Sequence, residues 1–452
     1  MSRYYTSGFV NASVNFDIFL VFRCDDRRNR LEWSLMPELP TLAETGPSAD
    51  QDTISSIEHV LEAYRQLRVA VADLFHAVGT DATRTRETAR ALGLNRGLAW
   101  RLTRVVRSPE SPAVISDVPG PQSIASFLKA CRKHGAPEAS LRAAQDAFAG
   151  YESAVDSCSG DRKTLAMLMA NHADLGSSNE QERARRKLFE GACGIWGVQA
   201  QIRFVTVFVF PSAADADRLD AGHVTGFVGL RRLSARSWPL SYEAVHDKSG
   251  EAVKFAKEPL DPDGSSEGEL QLIQRFCSPP RPKVVVRQIG AYKRFELASG
   301  PVGNEGLTTC VFGSLLKGLY PRYSETPDTA GFMVLLQTPI ERVMFDIFVH
   351  RDLGVPRPPL AQLLDRLTFP HGNEESDFER QELPIRERPL GLPGGAAGAM
   401  CPHIPWYGKL LTFVSERIGR PLESFEGSRF EMTYPPISTT LSRRFDLLPK
   451  PD

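Results

Sequence analysis

The chain has 452 residues, of which 42% are hydrophobic and 24% are charged, values typical of a globular protein with two or three domains. Its formal net charge of −1 excludes a global attraction to nucleic acid or to membranes, so any such attraction must come from a local patch. Seven scattered cysteines without a C-x-x-C pair argue against a disulfide framework or a zinc ribbon. With no apolar run of about 18 residues, we expect a cytoplasmic protein without a membrane partner.

Residues 1–35 have no helical periodicity, and residues 1–52 are expected to form a poorly ordered N-terminal arm. Met36 precedes a polar, proline-containing segment. Two interpretations are therefore open: residues 1–35 are a genuine arm, or they are an upstream extension and Met36 is the natural start.

Residues 53–199 are predicted to be almost entirely helical. The first helix is expected at residues 55–78, with Ser55 and Glu58 as an S-x-x-E capping box and an apolar stripe at steps of three and four. The stripe is expected to pack within its own domain, the alternative being a dimerisation helix. Further helices are predicted to start at Pro137, near Asp161 and near Ser178.

The pattern changes near residue 200, where 202–210 (IRFVTVFVF) predicts a strand buried on both faces. More strands are predicted at 284–287, 332–337 and 430–434, and helices at 270–276, 340–350 and 407–418. Residues 355–405 are rich in proline and glycine and predict a long irregular loop. Residues 200–452 are therefore expected to form a mixed α/β domain, and the whole chain an α+β fold.

Residues 85–106 (TRETARALGLNRGLAWRLTRVV) have the spacing of a helix-turn-helix. Ala89 provides a small residue where two helices cross, and Gly93, four residues later, suits a turn that needs a positive φ. Apolar residues flank the turn and line the inner face of the second helix: Leu92, Leu94, Ala99 and Leu102. Such a motif places its second helix in the major groove of DNA.

Positive charge is concentrated at this motif. Residues 84–107 contain seven arginines and one acidic residue, a local net charge of +6, so the rest of the chain carries −7. This is the pattern expected of a phosphate-binding surface, the alternative being a helical hairpin with a solvated basic face. The predicted DNA-binding residues are Arg84, Arg86, Asn95, Arg96, Gly97, Trp100, Arg101, Arg104 and Arg107.

This pair of helices resembles the helix-turn-helix of bacterial transcription regulators, especially those of the IclR type. The resemblance implies that residues 85–92 support residues 95–106, with Arg96, Trp100 and Arg101 facing base edges or backbone. It covers 22 of 452 residues. A β-wing, which IclR regulators have, is represented only by a candidate strand at 113–118, and residues 200–452 do not match their effector domain. The rest of the chain resembles a bacterial family that supplies no mechanism.

The leading hypothesis is a DNA-binding transcriptional regulator that binds double-stranded DNA, as a homodimer if each chain contacts one half-site. One alternative is an interaction or assembly protein that does not bind DNA. Another is an enzyme or ligand sensor in residues 200–452. His350 to Leu353 spell the HRDL of a kinase catalytic loop, but Arg357 stands where magnesium-binding asparagine is required, and the end of an amphipathic helix is the preferred interpretation. No cofactor or metal is predicted.

Overall fold

A computed structural model describes residues 23–24, 47–108, 114–115, 117–171, 178–244, 256–264, 268–289, 292–324, 328–354, 359–365 and 382–450. The fold is α+β, with helices concentrated in the N-terminal part and strands in the C-terminal part. The chain divides into a helical unit, residues 31–181, and a sheet unit, residues 182–452 with the strand Arg23–Cys24. Most of the predicted N-terminal arm, residues 1–52, lies outside the described residues.

The helical unit contains six described helices, and a seventh spans the boundary between the units. In chain order they are α1 (Pro47–Ala77), α2 (Thr85–Leu92), α3 (Arg96–Arg107), α4 (Pro121–Lys133), α5 (Glu138–Ser159), α6 (Arg162–Asn171) and α7 (Ser178–Trp196). Helix α1 begins eight residues before Ser55, so the predicted capping box at Ser55 is wrong. Asp161 does cap α6, because its carboxylate accepts hydrogen bonds from the backbone amides of Lys163 and Thr164.

The apolar stripe of α1 is buried inside the helical unit. Ile57, Val60, Tyr64 and Leu74 are fully buried in one core with residues of α2 to α6. The hydroxyl of Tyr64 donates a 3.0 Å hydrogen bond to the carbonyl of Val105, near the end of α3. The expectation that this stripe packs within its own domain is confirmed, and the stripe is not available as a dimerisation surface.

The sheet unit consists of a large central sheet with a smaller sheet on one face and a helix on the other. Its strands, numbered from the N-terminal one, are β1 (Arg23–Cys24), β2 (Val198–Pro211), β3 (Arg218–Arg232), β4 (Trp238–Ala244), β5 (Ala256–Pro259), β6 (Val284–Ile289), β7 (Tyr292–Leu297), β8 (Thr308–Pro321), β9 (Tyr323–Ser324), β10 (Asp328–Leu336), β11 (Ile340–His350), β12 (Leu360–Asp365), β13 (Glu382–Leu383), β14 (Leu390–Leu392), β15 (Phe425–Thr433), β16 (Thr439–Asp446) and β17 (Leu448–Pro449). The helix is α8 (Tyr407–Ile418).

The central sheet has seven strands in the order β14-β15-β11-β2-β3-β8-β5, and β2 runs parallel to β11. Its odd-numbered β2 residues, such as Val205 and Val207, face a core shared with the five-stranded sheet β1-β10-β16-β12-β13. Its even-numbered residues, such as Phe204 and Phe208, face a second core under α8. Because both faces are covered, β2 is apolar almost throughout, as its sequence predicted.

Three predicted elements differ in the structure. Residues 340–350 form β11 instead of a helix, because this apolar run lies between β2 and β15 and is buried on both faces. In 270–276, the amide of Ile273 donates to the carbonyl of Val311 on β8, and only Gln274–Phe276 forms a 3₁₀ turn. Val114 and Ile115 are helical and buried, so they do not form the candidate wing strand. Periodicity alone cannot separate a buried strand from a short buried helix.

Candidate nucleic-acid interface

Helices α2 and α3 are joined by a turn of three residues, 93–95. Gly93 has φ +62°, in the left-handed region that favours glycine, and ends α2. The amide of Leu94 donates a 2.9 Å hydrogen bond to the carbonyl of Ala89. Across the pair, the hydroxyls of Thr85 and Thr103 lie 3.0 Å apart and hydrogen-bond α2 to α3. The sequence therefore specified this turn correctly, including the role of Gly93.

The inner face of α3 is apolar, and its outer face is polar. Ala99 and Leu102 are fully buried, Leu98 is buried as well, and Leu94 is half-buried beside them. Asn95, Arg96, Gly97 and Trp100 are exposed, and Arg101 and Arg104 are half-exposed. These residues form the predicted DNA-reading face of α3, and no other described part of the helical unit covers it.

Asn95 begins α3 as its N-cap. Its side-chain oxygen Oδ1 accepts a 2.8 Å hydrogen bond from the backbone amide of Gly97. This bond satisfies one of the unpaired amides at the helix start and fixes the orientation of the Asn95 side chain. The side-chain amide group of Asn95 remains as the part that could contact DNA.

Three of the predicted DNA-binding arginines make contacts inside the protein. Arg84 forms exposed ion pairs with Asp81, at 3.6 Å, and with Glu87, at 3.2 Å. Arg104 forms an ion pair with Asp117. Arg107 donates a 3.2 Å hydrogen bond to the carbonyl of Thr83, which leaves its charge uncompensated by that contact.

The remaining arginines of the motif have neither an ion pair nor a side-chain hydrogen bond with any described residue. They are Arg86, Arg90, Arg96 and Arg101. Because an arginine without an internal carboxylate partner needs no ion pair broken before it binds phosphate, these four are the most available cations of the motif. Arg84 and Arg104 would first have to leave their carboxylates, so they are weaker candidates than the sequence suggested.

Trp100 lies on the outer face of α3 with 48% of its surface exposed. The guanidinium carbon of Arg104 lies 5.1 Å from the centre of its ring, within the range of a cation–π contact. Large exposed aromatic side chains are suited to stacking on bases or packing against the sugar–phosphate backbone. The position of Trp100 therefore favours a surface role over a place in the core.

A second polar network, which the sequence did not reveal, lies in the sheet unit. Asp346 on β11 is fully buried and accepts two hydrogen bonds from Arg429 on β15, of 2.8 and 2.7 Å. The hydroxyl of Tyr407, at the start of α8, donates to the same carboxylate at 2.6 Å. Burial and the neighbouring Asp346 carboxylate raise the pKa of Tyr407. Burial lowers the pKa of Arg429, but its hydrogen bonds to Asp346 outweigh burial, so the pKa of Arg429 is raised. The network joins α8 to the central sheet.

The HRDL sequence differs in structure from the expectation. His350 ends β11, and Arg351–Leu353 form a 3₁₀ turn, so HRDL does not end a helix as expected. No group of three or more metal-ligating side chains occurs among the residues with described positions. Within that same part of the chain, no helix combines the length and the apolar character needed to cross a membrane.

Comparison with known proteins leaves the family open. No family model matches the chain, and no curated protein matches it. Among solved structures, one from Parabacteroides distasonis ATCC 8503, described as a candidate protease, is similar over 56% of this chain with 8% sequence identity and a TM-score of 0.24. The match spans 41% of that protein. A similarity this low carries no argument about function.

Proposed function

We propose that this chain is a cytoplasmic, sequence-specific DNA-binding protein, a transcriptional regulator that inserts α3 into the major groove of double-stranded DNA. One observation carries the proposal: a helix-turn-helix with a buried inner face presents four arginines that have no ion pair or side-chain hydrogen bond with any described residue, Arg86, Arg90, Arg96 and Arg101. Phosphate contacts supply most of the affinity of such proteins, and arginine is also the side chain best suited to guanine edges.

The roles within the motif follow from position. Arg96 and Arg101, on the outer face of α3, are assigned to base edges, with Asn95, Gly97 and Trp100 beside them. Arg86 lies on α2 and Arg107 at the end of α3, and both are assigned to phosphates. The two arginines assigned to phosphates should contribute about −1.8 per chain to the slope of the logarithm of the binding constant against the logarithm of salt concentration.

The test is genome-wide mapping of bound DNA, comparing the natural protein with an Arg96→Ala, Arg101→Ala double variant. The control variant is Arg351→Ala, Lys409→Ala, which removes the same charge from exposed positions of the sheet unit. We expect enriched sites for the natural protein and the control variant and none for the double variant. Absence of enriched sites for the natural protein would instead favour an assembly protein that does not bind DNA.

A homodimer is part of the proposal, because one helix-turn-helix contacts only one half-site. The apolar stripe of α1 is buried in the helical unit, so a dimer must use other residues. Light scattering from the purified full chain would give its mass in solution. A dimer predicts inverted half-sites in the mapped DNA, whereas a monomer predicts single sites.

A further inference from the structure

A basic groove lies beside the exposed start of α3, between the helix-turn-helix and α4. The end of α2, the turn and α3 form one wall, and the outer side of α4 forms the other. The lining residues that matter for its chemistry are Arg90, Asn95, Arg101, Ser126, Lys129 and Lys133. Asn95 and Arg101 also belong to the proposed reading face, so the groove continues that face onto a second helix.

The groove carries only positive charge. Its lining includes five arginine and lysine side chains and no carboxylate. Arg132 is held by Glu138 at 3.0 Å, so its charge is largely compensated. Lys129 and Lys133 make no ion pair with any residue that the structure describes. A concave surface lined by one sign of charge concentrates counter-ions and favours a polyanion.

The outer side of α4 is built separately from its inner side. Ile124, Phe127 and Cys131 are buried in the helical core. Gln122, Ser126, Lys129 and Lys133 recur at steps of four, three and four, so they form one polar stripe along the helix, and all four line the groove. The core does not need this stripe, which therefore remains free to bind a partner.

We infer that the groove holds the sugar–phosphate backbone that borders the major groove entered by α3, with Lys129 and Lys133 neutralising phosphates there. This inference rests on the proposed function and extends it from a single recognition helix to a two-helix clamp. Lysine is a point-like, strongly hydrated cation without the fork geometry of arginine, so it suits phosphate contact that carries no sequence information. An acidic protein segment is the competing occupant, but its binding would not explain why the groove is continuous with the proposed reading face.

The experiment uses the full chain with Lys129→Gln and Lys133→Gln combined. The matched control is Lys163→Gln with Lys409→Gln, two exposed lysines that do not line the groove. Fluorescence anisotropy measures the dissociation constant between about 50 and 300 mM KCl, for a duplex carrying an enriched site and for a duplex of random sequence. Both variants should keep the helical circular dichroism of the natural protein, since all the altered residues are exposed or line an open groove.

We expect the groove variant to reduce the steepness of the salt dependence by about 1.8 per bound chain, the contribution of two phosphates. Its affinity should fall by the same factor for both duplexes, so that the ratio of specific to random binding is unchanged. A salt slope equal to that of the control, or a loss confined to the specific duplex, overturns the clamp. If the natural protein binds neither duplex, the proposed function itself fails, and the clamp fails with it.

Discussion

Leu102 provides the sharpest test of whether α3 is positioned by its apolar inner face. Its side chain is fully buried in the core of the helical unit, whereas its neighbour Arg101 faces the groove and is half-exposed. Leu102→Ala removes three buried carbons, worth about 2.4 kcal/mol at about 0.8 kcal/mol each. A residual cavity adds to this loss, so the free energy of unfolding of the helical unit should fall by about 3–4 kcal/mol.

The assay is urea denaturation of the full chain, monitored by circular dichroism at 222 nm. This signal reports on the helical unit because most helices belong to it. Arg101→Ala is the matched control and should change the unfolding free energy by less than about 0.5 kcal/mol. DNA binding should show the reverse pattern: at low temperature Leu102→Ala binds nearly normally, and Arg101→Ala loses affinity. A cost below about 1 kcal/mol for Leu102→Ala would refute the packing argument.

Two further predictions concern the sheet unit. Arg429→Met should lower its unfolding free energy by about 3–5 kcal/mol, measured by denaturant titration, because Asp346 stays buried without its cation; equal stability of natural and variant proteins would contradict this. Burial, with Arg203 and Lys257 nearby, lowers the pKa of His223 to about 3. As the pH falls below about 6.5, the unfolded imidazole therefore binds a proton that the folded one does not. The free energy of unfolding is unaffected by this difference above about pH 6.5, is lower by about 2 kcal/mol at pH 5, and falls further toward pH 3. His223→Gln should abolish that share of the pH dependence in denaturation at pH 7.5 and pH 5, and an unchanged difference between the two pH values would argue against it.

The helix-turn-helix could be predicted because its determinants are local. Ala89, Gly93 and Leu102 lie within one short segment, and each enforces the same geometry through its own size or backbone freedom. The availability of the arginines could not be predicted in the same way. Arg84 pairs with Glu87 inside the motif, but its second partner Asp81 and the Arg104 partner Asp117 lie outside residues 84–107.

Tertiary context decided the elements that sequence reasoning missed. The run 340–350 becomes a strand because β2 and β15 pair with it on both sides, and those partners are distant in sequence. The pair Asp346–Arg429 joins residues 83 positions apart, beyond any local pattern. Helix α4 did carry a local signal: Pro121 at its first position, followed by apolar residues at steps of three and four. Its basic outer stripe was therefore predictable from the sequence.

The arginines that are engaged inside the protein help to fix those that are not. Arg107 ties the end of α3 to the carbonyl of Thr83 before α2, and Arg104 ties α3 to Asp117, four residues before α4. Tyr64 holds the same end of α3 through Val105. These ties hold α2, α3 and α4 in one arrangement before any ligand arrives. Binding then requires little ordering of the protein, which is the condition under which a few free cations on two helices can act together on one duplex.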